Sequence, residues 1–129
     1  MAEHPFRAAV EAGDLPAMIE ALAPDVSFHS PVTFKPFEGR DAVAVVLGAV
    51  VEVFEDFRYT DELAGEGTLA LVFEARVGDR QLQGIDLLRF DADGLIDDFT
   101  VLVRPLSAAL ALRDAMGRQL GVAEGRQSQ

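Results

Sequence analysis

The chain has 129 residues, half of them hydrophobic, with no cysteine and a formal net charge of −11. This length is typical of one globular domain with a substantial core, and the apolar content excludes a disordered chain. The scattered Lys and Arg residues exclude the clustered positive face of a nucleic-acid binder, and the absence of cysteine excludes disulfides, thiolate metal sites and a cysteine nucleophile.

The distribution of apolar residues argues against a membrane protein. The longest apolar stretch, residues 42–51, is too short to span a bilayer, and the N-terminus lacks the basic and apolar regions of a signal peptide. We therefore expect no contact with a membrane and a cytoplasmic location. The acidic balance favours solubility, with selection of cationic ligands as the alternative interpretation.

Three amphipathic helical patterns occupy the first half of the chain. The first ends at Gly13, a residue that suits a helix C-terminus, and Asp14 can cap the second helix. Pro24-Asp25 is expected to close that second helix before a short strand over residues 26–30. Asp41 can then cap the third helix, whose apolar residues follow one face.

The second half of the chain has the character of β-strands. Asp93-Gly94 is a strong hairpin signal between the last two strands. Apolar spacing from Leu106 to Met116 suggests a final helix. We expect a single domain over residues 1–120 and a frayed tail over residues 121–129. The predicted strands cover residues 57–63, 68–77, 81–90 and 95–103.

Helices first and a meander of strands afterwards indicate an α+β fold. We expect a curved antiparallel sheet that wraps around three N-terminal helices and encloses a cavity, with an extra C-terminal helix. Several strands are apolar on both faces, as in residues 69–73. We therefore predict that the second apolar face of the sheet pairs with another subunit in a homodimer. The alternative is that this face belongs to a thicker core in a monomer.

One carboxylate interrupts an apolar strand. Asp86 shares a strand face with Leu88, so it should face whatever that sheet face encloses. Because an unpaired buried charge is very unfavourable, this acid must be paired, protonated or exposed to a wet cavity. Candidate partners are Arg76, Arg89 and Arg104, although alternation places Arg89 on the opposite face.

His29 is the second candidate for chemistry. A histidine can serve as a base near neutral pH, and His29 adjoins Ser30, although strand alternation places the two on opposite faces. The alternative is a structural histidine that holds the loop at Pro31. One His and one Asp are too few ligands for zinc, so we expect no metal and no other cofactor.

Four segments occur in an order and spacing that resemble a known superfamily. The chain is similar to nuclear transport factor 2-like proteins, and most similar to SnoaL-like polyketide cyclases and ketosteroid isomerases. The resemblance covers about residues 3 to 105 and implies a cone-shaped α+β fold. The segments are Gly13-Asp14, Phe28-His29-Ser30-Pro31, Phe37-Glu38-Gly39-Arg40, and Ile85-Asp86-Leu87-Leu88-Arg89-Phe90-Asp91 leading to Gly94-Leu95-Ile96.

The resemblance implies roles that this chain fills only in part. Asp86 falls where steroid isomerases have a protonated Asp, whereas the base position carries Ser30 and the tyrosine position carries Phe6. Steroid isomerisation by that mechanism is therefore disfavoured. Limonene epoxide hydrolase chemistry is also disfavoured, because two of its carboxylate positions carry Gly78 and Val101. In SnoaL-like cyclases an Asp often acts as acid or base.

We therefore predict a pocket for a small hydrophobic molecule, with Asp86 and His29 as candidate catalytic residues for isomerisation or cyclisation. The alternative is a non-catalytic sensing or dimeric interaction module. A cavity of roughly 300 Å³ or more lined by Asp86 would favour ligand binding. A cavity closed by Phe side chains, with Asp86 in a salt bridge, would favour the alternative. The predicted pocket residues are Phe6, Phe28, Ser30, Phe54, Phe73, Leu88, Phe99, Val101 and Val103.

Overall fold

A computed structural model describes residues 4–124, with side chains described through residue 121. Four helices and six strands follow one another along the chain. None of the helices within residues 4–124 is long and apolar enough to cross a membrane. The elements are α1 (Pro5–Ala12), α2 (Leu15–Glu20), β1 (Leu22–His29), β2 (Phe37–Glu38), α3 (Arg40–Val53), β3 (Glu55–Gly65), β4 (Thr68–Val77), β5 (Arg80–Phe90), β6 (Ile96–Arg104) and α4 (Leu106–Glu124).

The ends of the first two helices confirm the predicted local signals. Gly13 adopts the left-handed conformation at φ 69° and ends α1, where its N–H donates to main-chain carbonyls of that helix. The Asp14 carboxylate then accepts a hydrogen bond of 3.1 Å from the Ala17 N–H and caps α2. This tight connection turns α1 back against α2 and brings Phe6 into the core.

Two predicted boundaries in the first half were wrong. Pro24 and Asp25 do not close α2 but lie within β1, both exposed, where the pairing register with β6 is irregular. A proline is tolerated there because an irregular stretch does not need its missing N–H. Asp41 is not the cap of α3: Gly39 takes that position without a side-chain hydrogen bond, and Asp41 lies in the first turn.

The sheet has the strand order β2-β1-β6-β5-β4-β3. All neighbours pair antiparallel except β1 and β6, so the predicted antiparallel sheet contains one parallel pair. A parallel pair needs a long crossover, and here the elements from β2 to β5 supply it. The α+β class and the C-terminal helix agree with the prediction.

Strict alternation defines the two faces of the sheet. In β4 the inner residues from Leu69 to Val77 are all buried, while the outer residues are half-buried. The Arg104–Pro105 peptide is cis and leads into α4. That helix continues past Gly121 to Glu124; the remainder of the predicted frayed tail, residues 125–129, lies outside the described residues.

The interior consists of two hydrophobic clusters. The first joins α1, α2, α3 and β1 to the inner face of the sheet around Phe99. The second joins the far ends of β4 and β5 to α4, where Ala108 and Leu112 are buried. Tyr59, Val101 and Met116 pack against both clusters and therefore mark the seam between them.

Candidate functional site

A cavity of about 230 Å³ lies at this seam, between the inner face of the sheet and the helices. Its walls are almost wholly apolar. The sheet contributes its floor, α1 and α3 contribute one side, and α4 contributes the other. Six of the predicted pocket residues line it: Phe6, Phe28, Ser30, Phe54, Phe99 and Val101.

Three predicted pocket residues do not line this cavity. Phe73 and Leu88 are fully buried in the two clusters. The ring of Phe73 occupies the space above Gly84, where a Cβ atom would collide with it, and so fills the interior instead of bordering the void. Val103 borders grooves elsewhere on the sheet.

Several apolar residues of the cavity were not predicted. Most come from helices, whose apolar stripes carry no sign of whether they meet a packed core or a void. They are Val10, Met18, Val32, Val46, Leu47, Val50, Val51, Phe57, Leu112 and Met116.

Asp86 lies where alternation predicted it, on the inner face of β5 between Leu71 of β4 and Val101 of β6. It is only 7% exposed and borders the cavity. It is the one charged residue in the described chain that is buried. The pairing around it is regular, so no bulge redirects its side chain.

The partner of Asp86 is Tyr59 and not an arginine. The Tyr59 hydroxyl donates a hydrogen bond of 2.9 Å to a carboxylate oxygen of Asp86. Tyr59 lies on β3, two strands away, and its ring reaches across β4. The position at which the resemblance implies a tyrosine does carry Phe6, on α1, but a different tyrosine supplies a hydroxyl to Asp86 from β3.

The alternation of residues along β3 could have placed Tyr59 on the inner face of the sheet from the sequence alone. Phe57 and Tyr59 are two residues apart, and the other residues from Glu55 to Glu62 are charged or polar, which places both aromatic rings on the inner face. The two rings meet edge to face at 5.0 Å between centroids. Outside the cavity, the Arg7 guanidinium carbon lies 5.5 Å from the centroid of the Tyr59 ring.

The three candidate arginines all bond elsewhere. Arg76 forms ion pairs of 3.0 Å with Glu55 and with Asp56, while Arg89 bonds Thr68 and Arg104 bonds Gln83. These contacts lie on the outer face of the sheet. None of these three guanidinium groups therefore compensates the Asp86 charge.

Burial determines the protonation chemistry of this pair. Loss of water around the carboxyl raises the pKa of Asp86 to about 7, and the hydrogen bond from Tyr59 opposes that rise only in part. Burial, together with the negative charge of Asp86, raises the pKa of Tyr59 well above its usual value. Near neutral pH, Asp86 is therefore present in both protonation states while Tyr59 keeps its proton.

The structure does not bring His29 to Asp86. His29 lies near the end of β1 on the other face of the sheet, and its Nε2 is 2.9 Å from Asp98 of β6. Both side chains are more than 30% exposed. Ser30 does line the cavity, and its hydroxyl accepts a hydrogen bond of 3.1 Å from the Val32 N–H.

Neither of the two criteria drawn from the sequence, one for ligand binding and one for the non-catalytic alternative, is met in full. The cavity is smaller than 300 Å³, and phenylalanine rings form much of its wall. However, Asp86 borders the void, and within residues 4–124 the bond described for its carboxylate is the one from Tyr59. Nowhere in residues 4–124 do three or more His, Asp or Glu side chains gather as metal ligands would.

Comparisons with known proteins agree with this geometry. A family model described as a SnoaL-like domain matches residues 4–99. Curated proteins gave no match. The chain is 43% identical to a structure described as a steroid delta-isomerase from Pseudomonas aeruginosa, with a TM-score of 0.89, covering 93% of this chain and 89% of that one.

Two further structures are similar. One is an uncharacterised bacterial protein with a cystatin-like fold from Silicibacter pomeroyi, at 40% identity and a TM-score of 0.84, covering 91% of this chain and 86% of that one. The other is an NTF2-like protein of unknown function from Burkholderia pseudomallei, at 17% identity and a TM-score of 0.66, covering 87% and 92%, which supports the fold alone. The family predicted from the sequence is confirmed: the chain belongs to the SnoaL-like domain family, with the NTF2-like fold.

Proposed function

We propose that this protein binds a small hydrophobic carbonyl compound in the seam cavity and catalyses proton transfer on it, as in isomerisation or cyclisation, with Asp86 as the acid–base group. One observation carries the proposal: a buried carboxyl group borders an apolar void with a tyrosine hydroxyl as its partner. The pKa of Asp86 near 7 suits a group that must both accept and release a proton at neutral pH.

The proposed chemistry follows from the polar groups in the cavity. Ser30, Tyr59 and Asp86 are the polar side chains among its described lining residues. The Asp86 carboxylate removes a proton from the carbon next to the substrate carbonyl, which leaves an enolate and a protonated Asp86. Return of that proton to a different carbon completes an isomerisation and restores the carboxylate. The Tyr59 hydroxyl has one proton and donates it to Asp86 in the resting site, so it becomes available to the enolate oxygen only after Asp86 has taken up the substrate proton.

Similarity to the Pseudomonas aeruginosa protein described as a steroid delta-isomerase supports this reaction class. The steroid isomerase arrangement, with a base separate from the enolate-binding Asp, is not reproduced here. Ser30 has no histidine to activate it, and its hydroxyl bonds the loop at Val32. Asp86 is therefore the base of the proposed reaction.

Deuterium exchange tests the proposal without knowledge of the physiological substrate. The protein is incubated in D₂O with a small apolar ketone such as tetralone, and label at the carbon beside the carbonyl is measured by NMR. We expect exchange faster than in buffer, which Asp86→Asn abolishes. Asp98→Asn and His29→Ala are matched controls, because both residues lie away from the cavity. Exchange that is equal to buffer, or unaffected by Asp86→Asn, contradicts the proposal.

The alternative is a non-catalytic module that senses a ligand. The small cavity volume and the single acid–base pair favour this second function. The same experiment separates the two: binding without deuterium exchange identifies the sensing module. A shift of the Asp86 carboxyl resonance on ligand addition would establish binding.

We also propose a homodimer that forms through the outer face of the sheet. Leu102 at the centre of this face is 50% exposed, and Ile85 beside it is half-buried. In a chain with net charge −11, this face carries Arg76, Arg89 and Arg104 near acidic side chains, so a second copy meets charges of both signs.

We expect Leu102→Asp to yield monomers in sedimentation, whereas the control Leu106→Asp, also exposed, should not. A wild type that sediments as a monomer contradicts the dimer.

A further inference from the structure

We propose that α4 limits the ligand to a neutral compound of one or two rings, with Leu112 and Met116 as the specificity-determining residues. This inference rests on the proposed function, because it names the substrate class of the same cavity. It adds an upper limit on size and an exclusion of anions, and both follow from the cavity wall.

The helix α4 lies outside the segment that the family model matches. The SnoaL-like domain match ends at residue 99, and α4 begins at Leu106. Two side chains of this helix nevertheless border the cavity, Leu112 and Met116. The matched segment therefore contains Asp86 and Tyr59, while α4 supplies the opposite wall.

The two α4 side chains play different physical parts. Leu112 is 3% exposed and is fixed among the side chains of the second cluster. Met116 is half-buried at the seam and contacts both clusters. A methionine side chain is unbranched and adaptable, so Met116 forms the yielding part of the wall and Leu112 the rigid part.

The volume sets the size class. At about 230 Å³ the cavity falls below the range of roughly 300 to 1,000 Å³ that is usual for drug-sized ligands. A ligand with one or two rings fits such a volume, and a four-ring compound exceeds it. Removal of the Met116 side chain should enlarge the cavity beside α4 and admit a longer ligand.

The charge of the cavity wall sets the second limit. Among the described residues that line it, none is Lys, Arg or His, and Asp86 is the charged group. A carboxylate or phosphate on the ligand would be buried without a counter-ion, which is strongly unfavourable. The ligand is therefore neutral, with one oxygen directed towards Asp86 and Tyr59 and an otherwise apolar body.

Three phenols test both limits, because a phenol oxygen imitates the oxygen of an enol. We would measure Kd by fluorescence or calorimetry for 2-naphthol, for 6-hydroxy-2-naphthoate, which adds a carboxylate to the same two rings, and for a four-ring steroidal phenol. We expect wild type to prefer 2-naphthol to each of the others by at least about tenfold. Met116→Ala should reduce the preference over the four-ring phenol and leave the preference over the naphthoate.

Two further variants separate an effect on the cavity from a general effect on folding. Leu110→Ala is the matched control, since Leu110 lies on α4, is 43% exposed and does not line the cavity; it should bind all three phenols as wild type does. Met116→Phe fills the cavity further and should weaken 2-naphthol while a single-ring phenol still binds.

The possible failures are distinguishable. Equal affinity of wild type for the four-ring phenol and 2-naphthol would overturn the size limit, and tight binding of the naphthoate would overturn the charge limit. Either result leaves the proposed function standing if Asp86-dependent deuterium exchange is observed. Absence of both exchange and binding of every phenol would overturn the proposed function and this inference together.

Discussion

The hydroxyl of Tyr59 lies 2.9 Å from the carboxylate of Asp86, although the two residues are 27 positions apart and belong to strands separated by a third. This hydrogen bond holds the Asp86 carboxyl at the edge of an apolar cavity, and none of the described residues that line the cavity is a cation. The combination makes the charge of Asp86 depend on pH in the neutral range, and several measurable consequences follow from it.

The first prediction concerns stability as a function of pH. Because burial raises the pKa of Asp86 to about 7 in the folded state, the folded chain binds a proton that the unfolded chain releases near pH ~4. The contribution of protonated Asp86 to the free energy of unfolding is therefore complete below about pH 4. It is lost as the pH rises from there to about 7, and the loss is at most about 4 kcal/mol.

Asp86→Asn should remove this loss, since an amide does not ionise. Urea unfolding of wild type and variant is measured at about pH 5 and about pH 8. At each pH the unfolding free energy of wild type is subtracted from that of the variant, so that the contributions of all other titrating groups cancel. We expect the variant to gain stability relative to wild type at the higher pH. If the difference in unfolding free energy between Asp86→Asn and wild type were the same at both pH values, Asp86 would have the pKa of an ordinary exposed aspartate.

The second prediction concerns the Tyr59 hydroxyl. Tyr59→Phe removes the hydrogen bond that favours the charged carboxylate, so the pKa of Asp86 should rise further. The same change should destabilise the protein by about 1.5 to 3 kcal/mol at alkaline pH, where the lost bond is one to a charged group. NMR titration of the Asp86 carboxyl carbon measures the pKa.

Thr60→Val is the matched control for Tyr59→Phe, because Thr60 is the next residue on β3 and is exposed. It should leave the pKa of Asp86 unchanged. A pKa in Tyr59→Phe equal to that of wild type would mean that the hydrogen bond does not form in solution.

The third prediction concerns Gly84, which precedes Asp86 by two residues on the inner face of β5. A Cβ atom there would overlap the Phe73 ring and lie 2.7 Å from the Leu102 carbonyl oxygen. We expect Gly84→Ala to destabilise the protein by about 1 to 3 kcal/mol in urea unfolding, because the backbone contact cannot relax by a change of rotamer. Gly65→Ala, on β3 with nothing within 4 Å, is the control and should change stability far less.

The fourth prediction concerns α4. Truncation after Pro105 removes the buried side chains of Ala108 and Leu112 and uncovers the second cluster and one wall of the cavity. We expect increased binding of a hydrophobic dye and a loss of more than about 2 kcal/mol, since loss of one buried leucine alone costs about that much. Truncation after residue 124 is the control. Unchanged dye binding and stability after truncation at Pro105 would show that α4 does not cover the interior.

Local sequence patterns determined most of the elements of the fold. Gly13 and Asp14 fixed the break between α1 and α2, and β4 begins and ends where its alternation predicted. Alternation also placed Asp86 on the inner face beside Leu88. These features depend on conformational preferences of neighbouring residues, which the chain carries within a few positions.

The tertiary structure decided which residues meet. The parallel pairing of β1 with β6 sends His29 to Asp98 on the outer side, and the order of β3, β4 and β5 brings Tyr59 to Asp86. The Phe73 ring fills the space above Gly84, so the void forms at the seam instead. Contacts of this kind depend on strand order, register and the volumes of side chains from distant segments, for which a single sequence carries no local signal.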